Sequence, residues 1–157
     1  MTFERTEDAE RVCRILTERR CWETIRDDFT EAPDFRPNAD SRIWYVIARE
    51  DGRDLGLFIF VPRNTVLWEW HVAVLPWAWG FASRRAGRQA IEWFFEQTQC
   101  ERLIGEIAEF NRCAIAYAQA MGMQQYGRNP RSFARHGRLW DVVLFGLSRG
   151  LEHSAWR

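Results

Sequence analysis

An acidic residue and an imidazole lie two positions apart in the most apolar stretch of the chain. Glu69 and His71 alternate there with tryptophan and valine residues, a pattern typical of a β-strand with two different faces. Because alternate side chains of a strand share a face, we expect Glu69 and His71 to lie side by side. Such a pair could take a proton from a reacting group. A strand face open to water, or a buried Glu–His hydrogen bond, would explain the same pattern.

A second charged feature lies near the carboxyl end of the sequence, where four arginines fall within eleven residues beside His136. Grouped guanidinium groups could bind the phosphates of a cofactor or a nucleic acid, or an acidic partner. A solvated loop whose charge balances the acidic amino-terminal segment explains the cluster equally well. The four residues are Arg128, Arg131, Arg135 and Arg138.

No metal site is predicted, because the three histidines, His71, His136 and His153, share no ligand spacing. The four cysteines form no closely spaced pair, and we interpret them as reduced thiols in the core of a cytoplasmic protein. They are Cys13, Cys21, Cys100 and Cys113.

Length and composition favour an ordinary globular domain. The 157 residues fit one domain over 1–157, and the hydrophobic share of 46% argues against disorder. Twenty-two basic residues balance twenty-two acidic ones, so net charge directs the chain toward neither nucleic acid nor membranes. The longest uncharged stretches, 70–83 and 113–127, are too short to span a bilayer. The charged first twenty residues show no signal-peptide pattern.

Nine tryptophans are present, and four of them, Trp68, Trp70, Trp77 and Trp79, lie close together in the sequence. A tryptophan combines a large apolar body with one polar N–H, so packing in the core is its default role. A cluster this dense around one turn could instead form a binding surface, such as the interface of a homodimer or of a larger protein assembly.

Strands and helices that position these residues are predicted in the order β-α-α-β-β-β-α-β-α-β-β. The predicted strands cover residues 3–5, 43–48, 55–61, 65–75, 103–108, 124–127 and 140–148. The predicted helices cover residues 7–20, 21–29, 80–97 and 111–121. Loops are expected at 31–42 and 127–139. We expect Thr6 and Asn111 to cap helices, Pro76 to end the long apolar strand and Gly122 to end the last helix.

The junction after the long apolar strand carries a sequence pattern of its own. Residues 74–82 read VLPWAWGFA and resemble the V-x-P-x-x-R-G-x-G-x-G/A strand-to-helix junction of GNAT-type N-acyltransferases. Residues 111–123 are similar to that family's second signature, N-x-x-A-I ending in G-F, and residues 141–145 resemble its last strand. The resemblance covers about residues 3–148, with the motifs in the family's order.

The resemblance implies an α/β fold of the α+β type, with a mixed, mostly antiparallel sheet of six to seven strands and about four helices. The strands near Val72 and Leu103 should then be adjacent and parallel, joined by a helix that begins at Gly80. They should splay near Pro76 and open a cleft. The implied activity is transfer of an acyl group, in the first place acetyl from acetyl-CoA, to an amine of a small molecule or a protein.

In this family the N–H groups of the junction and the helix N-terminus hold the pyrophosphate of acyl-CoA. The implied cofactor-binding residues are Val74, Trp79, Gly80, Phe81, Ala82, Ser83, Arg84, Arg85 and Asn111. The sequence departs from the family pattern at three of them. Trp79 stands in place of Arg or Gln, and Ala82 and Arg84 stand in place of small residues, so we expect a degenerate pyrophosphate loop.

For catalysis the resemblance implies a base on the strand before the loop, which here offers Glu69 and His71. The family's tyrosine that protonates the leaving thiolate is replaced by Ala118, so Tyr117 or a water would have to act. Two alternatives stay open. One is a nucleic-acid-modifying enzyme, similar to phage enzymes that alter adenine in DNA, with the arginine cluster on phosphates. The other is a non-catalytic module of a phage particle with the tryptophans at an interface.

Overall fold

The computed structural model describes residues 1–151, so His153 lies outside the described residues. Its strands are β1 (Thr2–Thr6), β2 (Trp44–Glu50), β3 (Arg53–Pro62), β4 (Leu67–Val74), β5 (Arg102–Ala108), β6 (Gln124–Arg135) and β7 (Arg138–Ser148). Its α-helices are α1 (Ala9–Leu16), α2 (Arg19–Ile25), α3 (Phe81–Gln97) and α4 (Arg112–Ala120). Short 3-10 turns cover Ala32–Asp34 and Pro76–Ala78. The predicted order of elements is confirmed.

The seven strands form one mixed sheet in the order β1-β2-β3-β4-β5-β7-β6. All neighbouring strands are antiparallel except β4 and β5, which are parallel and joined through α3. This pair has only three partners in register: Leu67 with Arg102, Trp68 with Leu103 and Glu69 with Ile104. The predicted parallel pair is therefore confirmed. The predicted position of the splay, near Pro76, is wrong, because the registered pairing already ends at Glu69.

Trp70 fills the space at which the parallel pairing ends. Its indole is almost fully buried, stacks on Phe58 at a centroid distance of 6.2 Å, and donates from Nε1 to Met123 Sδ at 3.1 Å. Gly105 of β5 faces the ring, where an added Cβ would lie 3.3 Å from Nε1. A large ring on β4 opposite a residue without a side chain thus occupies the point of divergence.

The two faces of the sheet carry separate cores. The larger core packs α3 and α4 against one face, with Phe60 and Phe94 stacked at 3.8 Å. The smaller core packs α1 against the opposite face, mainly through Val12, Ile15 and Leu16. Strand alternation places Trp68, Trp70, Val72 and Val74 in the larger core. Glu69 and His71 consequently lie on the α1 face of the sheet.

The predictions for the first helix are wrong in two respects. Asp8, not Thr6, caps α1, because its carboxylate accepts the Arg11 N–H at 2.9 Å, while Thr6 is the last residue of β1. The helix predicted over 7–20 ends at Leu16, because a separate helix, α2, begins shortly after it. The Glu18 carboxylate caps α2 by accepting the N–H groups of its first turn. Asn111 caps α4 and Gly122 follows it with φ 82°, so both of these predictions are confirmed.

Two further predictions need correction. The arginine-rich segment is not a loop, because β6 runs on to Arg135 and turns into β7 at His136 and Gly137, both with positive φ. The four cysteines are free as expected, yet Cys113 is exposed on α4 and is therefore not a core residue. Within residues 1–151 no helix is long and apolar enough to cross a bilayer.

The wedge formed by Trp70 makes a testable contribution to stability. Replacing Trp70 by Leu removes the stacked ring and leaves a cavity at the point of divergence, which should lower the free energy of unfolding by about 2 to 4 kcal/mol. Urea denaturation followed by circular dichroism measures this change. The matched control is Trp77→Leu at a half-exposed tryptophan, which should cost less than about 1 kcal/mol. Equal losses in the two variants would contradict the role assigned to Trp70.

Candidate active site

Glu69 and His71 lie side by side as predicted, at the edge of the opening between β4 and β5. His71 Nε2 is 3.0 Å from Glu69 Oε1. The carboxylate side chain is 8% exposed, whereas the imidazole is 46% exposed. The pair therefore joins a buried acceptor to a ring that solvent and ligands can reach.

Arg63 completes this cluster, and sequence reasoning missed it. It lies in the turn between β3 and β4, where the Asn64 side chain accepts two N–H groups, and its Nη2 pairs with Glu69 Oε2. The hydrogen bond from His71, together with the charge of Arg63, holds the pKa of Glu69 below its usual range despite the burial of the carboxyl. A search of the sequence for ion pairs between this turn and the strand that follows it could have found this contact. Glu69 is therefore an ionised carboxylate, and each of its two oxygens has a partner.

Beyond the last parallel pair, no strand within residues 1–151 pairs with the edge of β4 that faces β5. The Leu75 N–H donates to the Leu55 carbonyl at 2.9 Å, so Gly56 and Val74 form a non-hydrogen-bonded pair of the β3–β4 ladder. The N–H and C=O groups of Val74, and by alternation those of Val72, therefore point into the opening. An extended molecule with amide groups could add there as a further strand.

Two side chains already occupy the Val74 carbonyl. Trp79 Nε1 donates to it at 2.7 Å and Cys21 Sγ donates at 3.2 Å. Burial raises the pKa of the Cys21 thiol to about 12, so this group keeps its proton and remains a donor. Trp79 is half exposed, and its ring lies 5.7 Å from the guanidinium carbon of Arg20. One end of the free strand edge is thus capped by the protein itself.

The start of α3 differs from the start of every other α-helix in the described chain. Asp8, Glu18 and Asn111 cap the other three with side-chain oxygens. At α3 the cap position is Gly80, with φ 97° and ψ −127°, a conformation that is open almost only to glycine. The first intrahelical bond runs from Arg84 N to Gly80 O, so the N–H groups before it point out of the helix end. Such an end can bind an anion.

Phe81, Ala82 and Ser83 supply these three N–H groups. Ala82 lies inside α3 without a positive φ, so an alanine there causes no backbone strain. The Ser83 hydroxyl donates to the Gly80 carbonyl at 2.8 Å and holds the turn. Two predicted arginines flank this end: Arg84 is exposed, and Arg85 pairs with Glu50 of β2. The geometry suits the phosphate site that the sequence predicts here.

Two other predicted site residues make contacts within the fold. The Tyr117 hydroxyl donates to the Ser83 carbonyl at 2.9 Å, and burial raises its pKa. Asn111 caps α4 through Oδ1 and donates from Nδ2 to the Thr24 carbonyl. Their roles in catalysis and cofactor binding stay predictions.

The arginine cluster is only partly a surface feature. Arg135 is 1% exposed and pairs with Glu23 at 2.6 Å, so its predicted contact with a nucleic acid or acidic partner is wrong. Arg128 forms ion pairs with Asp141 at 2.8 Å and with Glu109 at 3.2 Å. Arg131 and Arg138 are exposed, and their binding of a partner stays a prediction. Within residues 1–151 no group of three or more potential ligand side chains could hold a metal ion.

A family model described as an acetyltransferase (GNAT) domain matches residues 2–124. The chain is similar to the spermidine N-acetyltransferase of Vibrio cholerae in complex with CoA and spermine, with a TM-score of 0.78, 14% identity and 97% of each chain covered. A chimera of that enzyme, SpeG, with hSSAT gives a TM-score of 0.78 at 14% identity, covering 98% of this chain and 99% of the chimera.

A Streptococcus mutans protein, smu.2055, gives a TM-score of 0.71 at 13% identity, covering 94% of this chain and 99% of that one. None of the curated protein sequences compared with the chain shows significant similarity to it. The structural likenesses show the fold, including its seven-stranded mixed sheet and four helices.

The lowered pKa of Glu69 predicts how stability depends on pH. A carboxyl whose pKa is lower in the folded than in the unfolded state stabilises the fold above its unfolded pKa, and that contribution is lost as pH falls below about 4. Glu69→Gln should therefore reduce the free energy of unfolding by about 2 kcal/mol at pH 7, and the gap from the wild type should narrow below pH 4. Urea denaturation at pH 7 and pH 3 measures both. Glu96→Gln, at an exposed position of α3, is the control; a gap that stays constant with pH would contradict the prediction.

Proposed function

Because the chain belongs to the acetyltransferase (GNAT) family of acyl-CoA-dependent N-acyltransferases, we propose that it transfers an acetyl group from acetyl-CoA to a small primary amine, with His71 as the base. The observation that carries this proposal is the 3.0 Å contact between His71 Nε2 and Glu69 Oε1 beside the opening of the sheet. It supports a role for His71 as the base, because the imidazole is accessible and is held by a buried carboxylate.

Acetyl-CoA supplies the thioester whose acetyl group passes to the amine. The uncapped N–H groups of Phe81, Ala82 and Ser83 would hold its pyrophosphate at the start of α3. The free edge of β4 at Val72 and Val74 would pair with the amide groups of its pantetheine arm. Full pairing requires the Trp79 indole to leave the Val74 carbonyl. Binding should therefore change the fluorescence of this half-exposed tryptophan.

The acceptor amine is an ammonium ion near neutral pH and must lose a proton before it can attack. Glu69 accepts the Nε2–H of His71, which leaves the Nδ1 lone pair free to take that proton. No described residue bonds to Nδ1. The Glu69 carboxylate then lies beside the imidazolium that forms, and Arg63 keeps the carboxylate ionised and in place.

The thiolate that leaves needs a proton in return. Tyr117 or a water would supply it, since Ala118 cannot. The Tyr117 hydroxyl now donates to the Ser83 carbonyl, so its use as an acid requires that this bond be given up. A water in the open cleft needs no such rearrangement.

The spermidine N-acetyltransferase similar to this chain was solved with CoA and spermine, which supports a small-molecule amine as acceptor here. A protein amine stays the alternative. A role as a module of a larger assembly is favoured by one observation, the half-exposed rings of Trp77 and Trp79 next to the exposed Phe81. Binding of acetyl-CoA distinguishes the enzyme from such a module.

Acetyl-CoA should bind the wild-type protein and change its tryptophan fluorescence. Calorimetry measures the affinity in parallel. Gly80→Ala should weaken binding about tenfold or more, because the added Cβ disfavours the φ of 97° that aims the N–H groups. Arg84→Gly should retain binding, since the backbone N–H groups are unchanged. Absence of binding at millimolar acetyl-CoA, with a gain in Arg84→Gly, would instead identify a degenerate scaffold.

His71→Gln should lower kcat by roughly 100-fold or more while the affinity for acetyl-CoA stays nearly unchanged, because the variant loses only the base. Steady-state kinetics with a primary amine acceptor and calorimetry with acetyl-CoA test the two halves. His136→Asn is the control, since this exposed histidine lies in the β6–β7 turn and asparagine tolerates its φ of 55°. If both variants keep wild-type kcat, the assignment of the base fails.

A further inference from the structure

Each of the two central strands that diverge carries a single exposed residue. In β4 that residue is His71, and in β5 it is Glu106, whereas every other residue of both strands is buried or half-buried. A carboxylate in the middle of the run Leu-Ile-Gly-Glu-Ile-Ala is as unexpected as the imidazole in β4. Two isolated exposed polar groups on adjacent core strands indicate a common use.

The last registered pair of the two strands indicates that these two residues lie opposite each other. Glu69 is the partner of Ile104, so two residues further along each parallel strand His71 comes opposite Glu106. Partners in register have side chains on the same face of a sheet, and both residues therefore lie on the α1 face. The strands have separated at this level, so the two groups border the opening from its two sides.

Among the residues that the structure describes, Glu106 is the negative charge in this opening that has no balancing partner. Glu69 is paired with both His71 and Arg63. Arg102 shares the face of Glu106 but lies four residues earlier, about 13 Å along the strand, and donates to Ser148 Oγ at 3.0 Å. Within residues 1–151 the Glu106 carboxylate has neither an ion-pair nor a hydrogen-bond partner.

We propose that Glu106 binds the ammonium group of the acceptor and holds it across the opening from His71. This inference rests on the proposed function, because it assigns the acceptor side of that same site. It predicts a preference for protonated alkyl amines, whose charge Glu106 can bind, over neutral aryl amines, which lack that contact. An ammonium between a carboxylate and an imidazole can donate one N–H to each, and the proton given to His71 is the one lost before attack.

The discriminating variant is Glu106→Gln, which keeps the shape and removes the charge. With n-butylamine at pH 7.5, we expect the variant to raise KM about tenfold and to change kcat less, because a charge-assisted contact to the substrate is lost. With aniline, which is uncharged at this pH, the kinetics should be those of the wild type. Glu96→Gln, at an exposed glutamate of α3 on the opposite side of the sheet, should change neither.

A binding measurement separates this inference from the proposed function. Nuclear magnetic resonance follows the imidazole signals of His71 while n-butylamine is added to the protein with bound CoA. We expect shifts that need about tenfold more amine in Glu106→Gln than in the wild type. Such shifts without any turnover would support Glu106 and overturn the proposed reaction. The role of Glu106 is overturned if wild type and variant show equal turnover or equal amine binding. It is also overturned if the variant loses activity equally with both amines, or if no amine binds at all.

Discussion

The early end of the parallel pairing between β4 and β5 is the constraint on which the rest of the structure depends. A continuous sheet would satisfy the backbone of both strands and leave no room between them. Here three registered pairs are followed by the buried ring of Trp70 against Gly105, and the strands separate. The separation frees the β4 edge at Val72 and Val74, and it makes polar side chains beyond that point accessible from one face.

A charged cluster on a core strand is costly unless its charges are paired. Glu69 meets this condition, since Arg63 and His71 bind its two oxygens and hold its pKa low. Because its pKa is low, the Glu69 carboxylate is poorly suited to act as a base itself. In the proposed reaction, the exposed imidazole of His71 is therefore the group that takes the proton. The different roles proposed for the two residues thus follow from their burial, not from their chemical types alone.

Much of this arrangement could be predicted from local patterns. Alternation in residues 65–75 placed Glu69 beside His71, and the proline and glycine at the following junction marked the start of α3 correctly. Contacts between distant segments could not be predicted this way. The partner of Arg135 lies 112 residues away in α2, and its burial turned an apparent surface cluster into part of the interior. The extension of β6 had no signal either, because its residues are mostly exposed and polar.

The hydrogen bonds that the Val74 carbonyl already accepts limit how strongly an acyl-CoA arm can bind there. In a splayed sheet with an empty edge, every backbone bond to a ligand would replace a bond to water. Here the Val74 carbonyl already accepts from Trp79 and Cys21, so pairing with the arm exchanges one hydrogen bond for another and adds little net free energy. Within residues 1–151, no side chain caps the N–H groups at the start of α3, so a ligand there displaces no such hydrogen bond. Recognition of the cofactor should therefore depend mainly on its phosphates, with the strand edge setting the direction in which the thioester enters the opening.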